Sequence, residues 1–149
     1  MEKSSCDIEL KGVKMYKVVK KKVLNQSVEL MVVEAPFVAR KCEPGQFIIL
    51  RVDHEGERVP LTILDYDRQA GTVTIVYQVV GHSTKKLANL NEGDYIHDFA
   101  GPLGKATELH AHDRVLGIAG GVGAAPLYPQ LKKLHDMGAK VDVIIGGRS

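Results

Sequence analysis

The sequence predicts a six-stranded antiparallel β-barrel followed by the first βαβ unit of an incomplete α/β domain. Three observations carry that expectation. Short runs rich in Val, Ile, Leu, Thr and Tyr recur from Tyr16 to Ala100, each closed by turn residues. After Gly101-Pro102-Leu103-Gly104 the texture changes: an unalternating apolar strand passes through glycines into an amphipathic helix. The length, 149 residues, allows one compact domain, or one small domain with part of another.

Residues 1–14 are polar and without period, and they read as a flexible lead. The barrel strands then follow as Tyr16–Leu24, Val28–Ala35, Gln46–Val52, Pro60–Asp65, Thr72–Val80 and Tyr95–Ala100. Asn25-Gln26-Ser27, Pro44-Gly45, His54-Glu55-Gly56, Ala70-Gly71 and Glu92-Gly93-Asp94 separate them. Thr72 to Tyr77 alternates at period two, as a half-buried strand does. One helical break, Ser83–Leu90, interrupts the series, and short strands at this spacing indicate a small barrel.

The second part opens with the apolar strand Arg114–Ala119. A helix from about Ala124 to Met137 follows, with Leu127, Leu131 and Leu134 on one face and Lys132, Lys133 and Asp136 on the other. Pro126 suits its first turn and Gly138 the position just past its end. Val141–Ile145 is a second strand, whose parallel pairing places both strand ends beside the glycine turn. A doubly wound sheet needs more strands than the remaining residues supply. The expectation is therefore a truncated polypeptide, or a sheet completed by another chain.

Composition excludes several classes. A net charge of +2 is too balanced to argue for nucleic acid. Lys17, Lys20, Lys21 and Lys22 lie in a strand-like run and read as a solvated face. No apolar run approaches the ~18 residues of a membrane span, and the first residues lack a signal peptide's apolar core. Cys6 and Cys42 share no metal-ligand spacing, favour a reducing cytoplasm and cannot supply the four ligands of an iron–sulfur cluster.

Three segments could carry chemistry. Gly120 to Pro126 follows an apolar strand and opens a helix, so its free N–H groups and the helix dipole suit a phosphate. Pro126 stands where a third fingerprint glycine is expected, and a merely structural turn is the alternative. Gly81-His82-Ser83-Thr84 precedes the short helix and could hold a pyrophosphate; taken alone it is an ordinary N-cap. Arg58-Val59-Pro60-Leu61-Thr62 combines a phosphate clamp with a hydroxyl able to bond a heteroaromatic ring. Pro60 confines that segment to a strand start or an unpaired edge. Of the six histidines, His54, His82, His97, His110 and His112 read as surface residues.

In their order, these segments resemble the ferredoxin–NADP reductase superfamily. Within it the chain is most similar to the dihydroorotate dehydrogenase electron-transfer subunits and to the alpha subunits of sulfide dehydrogenase and NADH-dependent ferredoxin:NADP oxidoreductase. The matching residues are Glu43 to Phe47, Arg58 to Ile63, Val79 to Thr84, Gly101 to Gly104 and Gly121 to Pro126. The resemblance implies a riboflavin-synthase-like FAD-binding barrel over 15–105 and a truncated NAD(P)-binding α/β domain over 106–149. It implies that Arg58, Pro60, Leu61 and Thr62 line the flavin, with Thr62 as the catalytic residue near the redox-active ring edge. Tyr77, Gln78 and Val79 would lie along the ribityl and pyrophosphate region, and Gly81, Ser83 and Thr84 would hold the pyrophosphate. Gly121, Gly123, Ala125 and Pro126 would take NAD(H) or NADP(H), and Arg148 could pair with a 2′-phosphate. The arginine-to-hydroxyl spacing is one residue longer than the superfamily's, and proline replaces its tyrosine.

The implied activity is electron transfer between NAD(P)H, FAD and an iron–sulfur centre or ferredoxin, in the cytoplasm, beside a second oxidoreductase subunit. The [2Fe–2S] cysteines of the relatives would belong to a C-terminal region that this sequence lacks. Two other classes stay open: a barrel that only docks a partner, and a flavin-free barrel of the translation-factor kind, against which the glycine turn argues.

Overall fold

The computed structural model describes residues 14–148; the expected lead 1–14 and Cys6 lie almost wholly outside them. Among the described residues nine strands and three α-helices follow in order, with a short 3-10 helix at Gly121–Gly123: β1 (Tyr16–Val23), β2 (Val28–Glu34), α1 (Pro36–Lys41), β3 (Phe47–Arg51), β4 (Val59–Asp67), β5 (Thr72–Gln78), α2 (His82–Ala88), β6 (Tyr95–Ile96), β7 (Asp98–Leu103), β8 (Arg114–Gly120), α3 (Ala124–Asp136) and β9 (Lys140–Gly146). One antiparallel sheet runs β6-β1-β2-β5-β4-β3-β7, and β8 pairs with β9 in parallel.

The large sheet has seven strands, one more than expected. The last expected strand, Tyr95–Ala100, divides at His97, whose N–H turns to the carbonyl of Val52. Before the break Ile96 pairs with Tyr16 of β1; after it Phe99 pairs with Leu50 of β3. One segment thus joins both ends of the sheet and nearly closes the barrel, leaving few open edges. The final strand also runs on to Leu103, past the expected Ala100. Gly101 permits this, because a Cβ there would stand 2.8 Å from Ile48 Cγ2.

The alternation of β5 holds: Val73, Ile75 and Tyr77 point inward. They meet Val18, Met31, Val33, Ile48, Leu50, Ile63, Ile96 and Phe99 in a single apolar interior. Helix α1, absent from the expectation, plugs one end of the barrel with Val38 and Ala39. At six residues it is too short for a helical period to show, and Pro36 at its first turn was the available signal.

In the βαβ unit, α3 lies over β8, and Leu131 occupies the space beside Gly117. Gly138, at φ +99°, follows the helix in the left-handed region, and Ala139 N–H donates back to the carbonyl of Leu134. The linker between barrel and unit is pinned at the Pro44-Gly45 turn. Thr107 N–H donates to Pro44 O at 2.9 Å, and Gln46 Nε2 to Gly104 O at 2.9 Å. Gly45, at φ +93°, leaves no room for a side chain against Thr107. No helix among the described residues is long and apolar enough to cross a membrane.

Candidate functional site

Strand β4 carries the first candidate segment at its start. Thr62 pairs with Phe47, Leu61 with Ile48 and Pro60 with Ile49 on the β3 side. On its other side, pairing with β5 begins only at Ile63. Residues 59–62 therefore present an unpaired strand edge, which is where Pro60, lacking an N–H, can sit. A bulge at Leu64 accompanies the change of pairing. Arg58 precedes the strand, exposed, and forms no ion pair among the described residues.

The second segment is brought up to the first. Ser83 Oγ, at the start of α2, donates to Glu57 Oε2 at 3.2 Å, next to Arg58. Lys86 Nζ adds a 2.7 Å ion pair to Asp53 in the same loop. Thr84 Oγ1 accepts from the N–H groups of Val80 and Gly81, both at 3.0 Å, and so fixes the turn into the helix. Nothing lies near a Cβ built on Gly81, so the main chain there is open to a ligand. The far end of α2 is tied to the barrel by Lys21 Nζ, which donates to Ala88 O.

Three of the expected residues, Tyr77, Gln78 and Val79, divide by exposure. Tyr77 is 1% exposed, and its hydroxyl donates to Glu29 Oε2 at 2.8 Å. Burial, with the Glu29 carboxylate beside it, pushes the phenol well above its usual range. Its side chain belongs to the barrel interior, and only its main chain is available to a ligand. Gln78 is exposed and Val79 half-buried at the end of the same strand.

The third segment lies across a cavity of about 1380 Å³ between the barrel wall and the βαβ unit. Leu30, Leu64, Val76 and Gln78 line it from the barrel; Gly121, Ala125 and Arg148 line it from the unit. Gly121 is at φ +53°, and a Cβ on Gly121 or Gly123 would meet nothing within 4 Å. Glycine there leaves the main chain at the start of α3 accessible, as a phosphate requires. Pro126 sits in the first turn of α3, where its missing N–H removes no helical bond. Thus the loop ahead of Arg58 meets the start of α2 through Glu57 and Ser83, while Gln78 shares a cavity with the glycine turn and Arg148.

Sequence reasoning missed a charged band beside this cavity, where Lys132 reaches Asp65 and Lys133 reaches Glu43, both at 2.8 Å. The lysines do lie on the polar face of α3, but that face meets the barrel rather than solvent alone. The described residues contain no group of three or more His, Cys, Asp or Glu placed to hold a metal ion.

Comparison with known proteins shows the family and the fold. A family model for the oxidoreductase FAD-binding domain matches residues 15–107. The uncharacterized protein in the adh 3′ region of Clostridium beijerinckii is 53% identical over 142 residues, covering 91% of this chain and 48% of that protein. A dihydroorotate dehydrogenase B (NAD(+)) electron transfer subunit homolog of Thermotoga maritima is 37% identical over 138 residues, covering 93% and 49%. The solved structure of an NADH-dependent reduced ferredoxin–NADP oxidoreductase superposes with a TM-score of 0.87 at 36% identity, over 94% of this chain and 51% of that one. Phthalate dioxygenase reductase shares the fold at 17% identity, with a TM-score of 0.75 over 93% of this chain and 44% of that one. The chain spans about half the length of these relatives.

Proposed function

The chain belongs to the oxidoreductase FAD-binding domain family, and from that premise we propose that it carries the flavin barrel and the first nucleotide-binding turn of an electron-transfer oxidoreductase. The observation that carries this reading is the unpaired β4 edge at 59–62, set beside the start of α2 with an uncommitted Arg58. The barrel, residues 15–105, would hold FAD, and residues 106–149 would hold NAD(H) or NADP(H).

The residues fit these groups. Arg58 and the N–H groups of His82, Ser83 and Thr84, beside the open main chain at Gly81, bind and neutralise a pyrophosphate. The open edge of Pro60, Leu61 and Thr62 orients a ring system, with the Thr62 hydroxyl able to donate to or accept from a ring heteroatom. The main chain of Tyr77, Gln78 and Val79 bounds the stretch between them. Gly121, Gly123, Ala125 and Pro126 bring main chain up to a second phosphate, and Arg148 supplies a cation for a 2′-phosphate. A flavin, when bound, supplies the exchange between two-electron and one-electron chemistry. The partner would be a second oxidoreductase subunit or a ferredoxin-type carrier in the cytoplasm.

The test is a visible absorbance titration of the chain with FAD, followed by anaerobic NADH or NADPH. A bound-flavin spectrum that bleaches supports both halves of the proposal, and no bound flavin sinks the first half. Arg58→Gln removes a charge-assisted contact worth about 1.5–3 kcal/mol, so FAD affinity should fall by about 10- to 100-fold. Unchanged affinity would remove Arg58 from the site.

A further inference from the structure

The charged band between barrel and βαβ unit involves neither the open β4 edge at 59–62 nor the glycine turn, although Asp65 lies further along the same strand. Lys132 Nζ donates to both oxygens of Asp65, at 2.8 and 3.1 Å. One residue on, Lys133 Nζ lies 2.8 Å from Glu43 Oε2, and Glu43 Oε1 accepts from Arg68 at 3.0 Å. Arg68 is itself held by the carbonyl of Cys42 at 3.1 Å. Lys133 and then Arg68 hold the Glu43 carboxyl below its usual range, and Asp65 holds the Lys132 ammonium above its own. Together with Tyr66, Pro129 and Asp136 they enclose a cleft of about 300 Å³. The other flank of α3 faces the large apolar cavity, where helix and barrel stand apart.

The two elements joined by this seam are those that carry the site. Asp65 stands three residues beyond Thr62 on β4, about 10 Å along the strand. Lys132 stands eight residues beyond the first residue of α3, about 12 Å along the helix. Strand and helix are stiff, so a tilt at the seam is carried to their other ends. We infer that Lys132 and Lys133 are positioning residues, whose pairs with Asp65 and Glu43 fix the distance between the glycine turn and Thr62. The inference rests on the flavin and nucleotide reading for its consequence, because a misplacement of about 1 Å can slow a reaction about 100-fold.

The test uses the full chain with Cys6→Ser, and spin labels on cysteines introduced by Gln26→Cys in the barrel and Met137→Cys beyond α3. The distance distribution between labels is measured for the parent, for Lys132→Glu, and for the charge swap Lys132→Glu with Asp65→Lys. The parent should give one narrow distribution, Lys132→Glu a broad or displaced one, and the swap a return towards the parent. FAD affinity should change little in any of them, while flavin reduction by NADH or NADPH slows about tenfold or more in Lys132→Glu and recovers in the swap. Raising salt from about 0.05 to about 1 M should broaden the parent distribution without any substitution. A distribution unmoved by both Lys132→Glu and salt overturns the inference, as does slower reduction with unmoved distances. Failure of the parent to bind FAD removes the functional reading, and the distance measurement still decides the seam.

Discussion

The barrel and the βαβ unit both carry apolar strand residues but enclose them differently. In the barrel, Val18, Met31, Ile48, Leu50 and Ile75 have no solvent exposure, because each inner face meets an opposite wall. In the unit, Leu116, Ile118, Ile144 and Ile145 are between 56 and 68% exposed. Among the described residues, α3 packs on one face of this two-stranded sheet. The difference teaches how each half keeps its shape. The barrel is held by its own interior, whereas the unit is placed by a pinned linker and a charged seam.

Truncation of one isoleucine in each half is the strongest way to break that contrast. Ile75→Ala should cost about 2–5 kcal/mol in urea unfolding, the usual price of a cavity in a closed core. Ile118→Ala, at a residue 68% exposed, should stay within about 0.5 kcal/mol. Comparable losses at both sites would mean that the two halves share one core.

Alkali offers the next largest effect, and its cysteine contribution belongs to the barrel. Burial pushes the Cys42 thiol from its ordinary 9.0 to about 11. The folded barrel therefore keeps a proton that the unfolded chain loses above pH 9. Stability from this group is whole below that pH and declines as pH rises through about 11, by about 2–3 kcal/mol at most. The difference between the unfolding curves of the parent and Cys42→Ala should show that decline; parallel curves would refute it.

Much of this contrast was legible in the sequence, and the gaps have physical causes. The period-two run at Thr72 to Tyr77 announced a wall strand, and Gly120 to Pro126 announced a strand-to-helix turn. The split at His97 was not legible, since nothing in Tyr95 to Ala100 encodes which neighbour each half pairs with. Tyr77 shows the limit of a motif: the same alternation that made it a strand residue also turned its side chain inward. The seam escaped because Lys132 and Lys133 look like any solvated helix face until the barrel is placed against them.

Within the barrel, Tyr77 is where the apolar interior reaches a polar partner. Its hydroxyl donates to Glu29, which Lys21 approaches at 3.5 Å. Tyr77→Phe should cost about 1 kcal/mol, the net worth of one such hydrogen bond. The parent should also retain one tyrosine that resists spectrophotometric titration in alkali until the fold is lost, because burial holds this phenol protonated. A full tyrosine titration in the folded protein would place Tyr77 at the surface.

The smallest expected effect belongs to the seam, and it sharpens the contrast most. Lys133 and Glu43 are 42 and 37% exposed, so water and salt screen their attraction, and the pair should couple by only about 0.2–1 kcal/mol. Lys133 and Arg68 lower the Glu43 pKa, so this contribution is present above the unfolded value of 4.5 and disappears as pH falls through the lower, folded one. A double-mutant cycle of Glu43→Gln and Lys133→Met should therefore show coupling at about pH 7 and none at about pH 2. Coupling that survives in acid would make the contact one of packing rather than charge. So weak a pair cannot hold a protein folded, yet it can select one orientation of a helix from several of nearly equal energy. That is the distinction between the halves: the barrel's contacts decide whether it exists, and the seam's decide where the glycine turn points.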